Sequence, residues 1–222
     1  MYNEKFFRNT GILSNREQFL LKKSKIAIVG LGGTGGIAFE TLIRIGIQDF
    51  IIFDKDRFEL TNFNRQIFAD DSTLDQRKID VAEKKAKRIN KVKIKKYLEF
   101  NAKPVAECDI IIDCTDNVPT RLKVAKAARL YNIPYVFCSS SFAKGMVSIF
   151  TDKKFEEVFQ LPKKGLEKYN TCSSVISFAP IIAGTLAASQ AVNFLLKKSF
   201  IKAPDFLFFD LFKKEPFWIK KI

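Results

Sequence analysis

Apolar side chains in this chain gather in short, β-branched runs, and between the runs the apolar positions recur at helical spacing. Lys25–Val29 (KIAIV) shows no alternation of polar and apolar positions, the mark of a strand buried on both faces of a parallel sheet. Residues 50–53 make a second strand ending at Asp54, 92–100 a third, and 110–114 (IIIDC) a fourth, again buried. Helical spacing follows the first strand as far as Ile45 and returns over 78–90, 119–131 and 178–197. Further strands are expected at 135–139, 146–150, 206–210 and 217–222. This alternation predicts an α/β fold: a mostly parallel sheet with helices on both faces and antiparallel strands at the C-terminal side.

Composition then narrows the chemistry. The 222 residues include no histidine. A Ser-His-Asp triad, a Cys-His pair, an HExxH zinc site and a histidine general base are all excluded. What remains is carboxylates, Lys, Arg, Cys, hydroxyls or a metal held by oxygen. Cys108, Cys114, Cys138 and Cys172 form no CxxC pair, which argues against a zinc ribbon and against a disulfide-stapled secreted fold. The opening MYNEKFFRNTG has no apolar signal core, so a cytoplasmic location is expected.

Residues 169–196 carry no charge over 28 positions, long enough to cross a bilayer, yet nine of them are polar and Pro180 sits mid-way. A loop and helix buried in the protein is the expectation, with no membrane partner. The net charge of +14 comes mostly from 29 lysines against 9 arginines. Eight of the 13 residues in 84–96 are Lys or Arg, read as a solvated helix face and an edge strand with Lys93 and Lys95 outward. The functional alternative for that run is a docking surface for an acidic protein or RNA.

The first candidate site follows the first strand. Gly30-x-Gly32-x-x-Gly35, with Gly33 and Gly36 beside it, holds five of the ten glycines and opens a helix. Backbone N–H groups there can cradle phosphate oxygens with no side chain in the way. Asp54, 24 residues after Gly30 at a strand end, can accept hydrogen bonds from ribose hydroxyls. This Rossmann-like pattern fits NAD, FAD or an adenine nucleotide alike. Asp54-Lys55-Asp56, Thr61-Asn62-Phe63-Asn64-Arg65-Gln66, Lys78 and Thr115-Asp116-Asn117 then discriminate. An Arg, a Lys and an Asp converging on one phosphate chain serve ATP cleavage: Arg65 and Lys78 neutralise the triphosphate, and Asp116 at a strand end can hold Mg²⁺.

The GxGGxG loop, DxDxxxxxNxNRQ, the downstream Lys and DCTDNxxxR, in this order and spacing, resemble the ThiF/MoeB/HesA family of adenylating enzymes related to ubiquitin-activating enzymes. The likeness runs from RNTGILS at Arg8 to the closing FDLFKKEPFWIKK. It implies ATP- and Mg²⁺-dependent adenylation of the C-terminal glycine carboxylate of a ubiquitin-like sulfur carrier ending in Gly-Gly, with pyrophosphate released. It also implies an ATP site built from Gly30, Gly32, Gly33, Gly35, Asp54, Asp56, Asn62, Arg65, Gln66, Lys78, Asp116 and Asn117, with Asp116 on the metal. Arg8 resembles the family's N-terminal arginine, which reaches into the partner subunit of a homodimer. The missing histidine agrees with this chemistry, since a carboxylate is already ionised at neutral pH and needs no general base.

Many members carry two CxxC pairs for a structural zinc. This chain has neither, so no zinc is expected and 151–171 reads as a zinc-free crossover loop. One domain over 1–222 is expected, with an arm at 1–24, a nucleotide-binding core at 25–150, and the helix and closing strands at 172–222. Cys172 resembles the position of the reactive cysteine in ThiF-type members, whereas the other three cysteines read as packing residues. The alternatives are an ATP-dependent tRNA threonylcarbamoyladenosine dehydratase-like enzyme, which would bring nucleic acid as partner, a nucleotide-dependent oxidoreductase, and a silent binding module.

Overall fold

The computed structural model describes residues 2–162, 164–166 and 174–222. Its helices are α1 (Tyr2–Lys5), α2 (Asn15–Lys23), α3 (Gly33–Ile45), α4 (Lys78–Ile89), α5 (Ala102–Val105), α6 (Val118–Leu130), α7 (Phe155–Val158) and α8 (Phe178–Leu195). Its strands are β1 (Lys25–Val29), β2 (Asp49–Phe53), β3 (Lys93–Tyr97), β4 (Ile110–Asp113), β5 (Tyr135–Ser141), β6 (Lys144–Phe150), β7 (Asp205–Asp210) and β8 (Phe217–Lys221). They form one sheet in the order β3-β2-β1-β4-β5-β6-β7-β8. The first five positions are parallel, with Ile28 of β1 in register with Ile52 and Ile112, and the pairs from β5 to β8 are antiparallel.

The apolar runs explain the layers. Along β1, Ile26 and Ile28 face one side and Ala27 and Val29 the other, as the period of two requires. The first side is covered by α3, α4 and α8 through Phe39, Leu42, Ala82, Ala187 and Ala191. The second is covered by α5, α6 and α7 through Val105, Val124, Ala128 and Phe155, backed by an aromatic group of Tyr135, Phe137, Phe150, Phe159 and Phe206. Helices therefore lie on both faces. α8 is long and apolar enough to cross a membrane by length and composition, but a face bearing Ala183, Gly184, Ala187, Ala188 and Ala191 is buried against α3 and the sheet. Its small residues permit that approach: a Cβ on Gly184 would lie 2.4 Å from the Thr34 carbonyl oxygen.

The segment expected as an arm, 1–24, holds a capped helix. Ser14 caps α2, and Glu17 closes a reciprocal capping box with it. Tyr2, Asn9 and Gln18 then bond the last carbonyls of the α3 region, at Gly46 and Ile45, and fasten the segment to the body. The basic run becomes the end of α4 and the edge strand β3. Lys85, Lys87, Lys95 and Lys96 are ion-paired there with Asp70, Glu83, Glu107 and Asp80. Charged side chains on an edge strand discourage pairing with another chain.

Candidate functional site

The strand order reverses between β1 and β4. Connections from those two strands leave in opposite directions, which opens a crevice at their carboxyl ends. A cleft of about 740 Å³ lies there, lined from four strand ends: Gly30, Gly32 and Gly33 after β1, Asp54 and Asp56 after β2, Thr115, Asp116 and Asn117 after β4, and Ser139–Ser141 on β5. Arg65, Gln66 and Lys78 close its side.

The glycine loop has a steric reason for its spacing. Gly30 adopts φ +88°, closed to most side chains, and its N–H donates to Phe53 O at 2.8 Å. Gly35 lies below the loop, outside the cleft lining, where a Cβ would sit 1.8 Å from the Gly30 carbonyl oxygen. Gly32 caps α3 with no side-chain bond, so the first N–H groups of that helix are left for an anion.

Asp54 braces this loop. Its Oδ2 accepts the Leu31 N–H at 2.6 Å and its Oδ1 the Asp56 N–H at 2.8 Å. Burial raises its pKa above the ordinary aspartate value, opposed by nearby Lys78 and by these two donors. Lys78, the first residue of α4, is buried and pairs through Nζ with Asp56 Oδ2 at 3.2 Å. Arg65 donates to Thr61 O at 2.6 Å and to Asn64 Oδ1 at 2.8 Å, which turns its guanidinium along the loop. Gln66 is buried, and its Oε1 has no partner among the described residues.

On the opposite wall, Asn117 caps α6 by accepting the Thr120 N–H at 2.9 Å, and its Nδ2 reaches Asp116 Oδ1 at 3.3 Å. Asp116 itself is exposed.

Not every residue singled out in the sequence lines this cleft. Asn62 is buried within the 59–66 turn, where it accepts the Glu59 N–H, and is absent from the lining. Arg8 is exposed on a turn at Phe7–Asn9, away from the cleft of its own chain. Cys172 falls outside the described residues. Cys108 and Cys138 are buried, as expected of packing residues; burial pushes the Cys108 thiol up to about 12. Cys114 Sγ and Cys138 Sγ approach to 3.6 Å at the cleft floor.

Sequence reasoning quoted Asp113, Thr115 and Arg121 within DCTDNxxxR but gave them no role of their own, and it did not single out Tyr135; together they form a largely buried polar group under the β4–α6 connection. The available signal was a carboxylate closing an apolar run, IIID, with an arginine eight residues on.

The model of the ThiF family matches residues 6–221. The chain belongs to the ThiF family. It is 31% identical over 187 residues to the molybdopterin-synthase adenylyltransferase of Escherichia coli K12, covering 80% of this chain and 75% of that one. It is 27% identical over 184 residues to the sulfur carrier protein ThiS adenylyltransferase of the same strain, covering 79% and 73%. Among solved structures, Escherichia coli MccB superposes with a TM-score of 0.81 at 19% identity over 99% of this chain and 69% of that one. That likeness is one of fold. Family membership makes this chain an ATP-using adenylyltransferase.

Proposed function

We propose that this ThiF-family chain adenylates the C-terminal glycine carboxylate of a ubiquitin-like sulfur carrier, forming an acyl-adenylate and releasing pyrophosphate. One observation carries the reading: an uncapped helix N-terminus, two cations and an exposed carboxylate line one cleft at the switch point of the sheet. The names of the two Escherichia coli relatives supply the substrate class.

The lining fits ATP. Gly30, Gly32, Gly33 and Gly35 keep the phosphate loop open, and Asp54 has lone pairs left for ribose hydroxyls after accepting its two N–H groups. Lys78 and Arg65 balance phosphate charge, and Asp56 holds the Lys78 ammonium at the wall. Gln66, with a buried oxygen unpartnered, and Asn117 complete the nucleotide contacts; Asn62 acts through the turn it braces.

The donor set also fits magnesium. No group of three metal-binding side chains occurs among the described residues, and Mg²⁺ commonly takes one or two carboxylates plus phosphate oxygens and water. Asp116 would hold the ion, whose chemistry is neutralisation of charge on the leaving pyrophosphate. The chain's own work is alignment: the carrier carboxylate is ionised already, and the fixed cations favour charge leaving the α-phosphorus.

ATP–pyrophosphate exchange tests the reading. Exchange should depend on a carrier ending in Gly-Gly, and Asp116→Asn should lower it more than tenfold, about 1.4 kcal/mol of barrier. Exchange without any carrier, or full exchange in the variant, overturns it. Cys172 is assigned to a later step, in which its thiolate attacks the acyl-adenylate carbonyl, AMP leaves and a thioester forms. Cys172→Ala should then keep exchange but lose the adduct in non-reducing mass spectrometry. The working form is a homodimer in which Arg8 serves the partner's cleft. Its exposure, between exposed Phe7 and Ile12, supports that role.

A further inference from the structure

The connection from β4 to α6 is gripped from below by two buried, oppositely charged side chains. Asp113 ends β4 with no exposure, and its carboxylate takes three donors. Thr115 N–H (2.8 Å) and Thr115 Oγ1–H (2.6 Å) reach Oδ1, and Tyr135 O–H (2.6 Å) reaches Oδ2. Arg121, buried on α6, donates to Cys138 O on β5 at 2.9 Å and to the carbonyl of Thr115. Its guanidinium carbon lies 4.6 Å from the centre of the Phe137 ring. Thr115 is thus held at its N–H, its hydroxyl and its carbonyl.

Those contacts fix both peptide planes flanking Thr115, and the second of them leads into Asp116. The Asp116 carboxylate, by contrast, is exposed, and among the described residues its side-chain donor is Asn117 Nδ2. Its direction therefore comes from the backbone beneath it. Two buried charges are a poor device for stability alone, since well-packed apolar residues often do as well. They are a good device for direction, because a planar guanidinium can hold two carbonyls at a fixed angle.

We infer that Arg121, acting with Asp113, is a positioning residue that locks the Thr115–Asp116 peptide and aims the Asp116 carboxylate at the divalent cation on the nucleotide phosphates. This rests on the role given to Asp116 above. Arg121→Lys keeps the positive charge but loses the fork; Thr115→Val keeps the shape but removes the hydroxyl donor to Asp113.

The measurement is the Mg²⁺ concentration for half-maximal binding of a non-hydrolysable ATP analogue, repeated for carrier-dependent exchange. Removing a partner behind a metal ligand commonly weakens the metal by about tenfold or more, so Arg121→Lys should raise half-saturation by about tenfold and Thr115→Val by a smaller factor. The KM for ATP at saturating Mg²⁺ should stay within about threefold of wild type, because the phosphate loop and Lys78 are untouched. A purely structural role would lower the active fraction at every Mg²⁺ concentration and leave half-saturation unmoved; that result in both variants overturns the inference. Should Arg121→Lys fail to fold, Thr115→Val, at a half-buried position, decides alone. A Mg²⁺ response that Asp116→Asn leaves intact overturns the Asp116 role itself, and the inference falls with it.

Discussion

Gly35 shows how one missing methyl group can set a site. A Cβ there would lie 1.8 Å from the Gly30 carbonyl oxygen and 2.8 Å from its carbonyl carbon, both rigid backbone atoms. The loop or the helix must move to admit it. Gly35→Ala is expected to destabilise the fold by about 1–3 kcal/mol, the usual cost of overpacking. It should also weaken binding of an ATP analogue by more than the loss of stability accounts for, because the displaced backbone is the phosphate loop itself. Calorimetric titration alongside thermal melts separates the two effects. An unchanged affinity in a folded Gly35→Ala protein would mean that the loop does not hold the phosphates.

At the scale of the element, α2 depends on a charged cap. Backbone and side-chain hydrogen bonds from Ser14 and the neighbouring Lys198 lower the Glu17 pKa from 4.5 to about 2. A carboxylate depressed in the folded state stabilises the fold above its unfolded pKa, and that contribution is lost as pH falls through the folded value. Glu17→Gln should therefore lower the melting temperature at neutral pH. The gap between variant and wild type should narrow from about pH 4.5 down to about 2, as followed by circular dichroism. A gap independent of pH would mean that the cap acts by packing rather than charge. α8 illustrates the opposite case, an element whose composition fits a bilayer but whose alanine and glycine face fits α3.

For the whole molecule, the second core layer depends on an aromatic group that spans the parallel and antiparallel halves of the sheet. Phe206, fully buried on β7, meets Phe137 of β5, Phe150 of β6 and Phe159 beyond α7. Phe206→Ala is expected to cost about 3–5 kcal/mol, read by chemical denaturation. A loss below about 1 kcal/mol would show that the cavity collapses or that the layer contributes little. The dimer proposal has its own measurement. Arg8→Ala and Asp116→Asn each silence different halves of a shared site. Subunits refolded together should recover about a quarter of wild-type exchange, since half the dimers are mixed and half their sites intact. No recovery in a confirmed mixed dimer would place Arg8 outside the partner's cleft.

The eight strands and the helices α3, α4, α6 and α8 were legible in the sequence in their order and type. Short β-branched runs bounded by turn residues mark strands buried on both faces, and the glycine cluster after the first of them marks a tight strand-to-helix turn. The ends of β1 were readable to the residue for that reason, and the end of α3 at about Ile45. The sequence also determined the cleft's main groups, because Asp54, Lys78 and Asp116 lie at strand or helix ends whose positions follow from the alternation. The helix α2 was not legible, since its face is mostly polar and its stability comes from Ser14, Glu17 and contacts with the α3 terminus. Nor was the division of labour among polar residues. Asn62 and Arg65 stand three apart in one motif, yet one is turned into the loop and the other lines the cleft. Asp113 and Asp116 likewise stand three apart: one is buried to hold a turn and the other is left open. Only the tertiary structure decides this, because burial depends on Tyr135, Cys138 and Arg121, which approach Asp113 from strands and helices the local sequence does not contain.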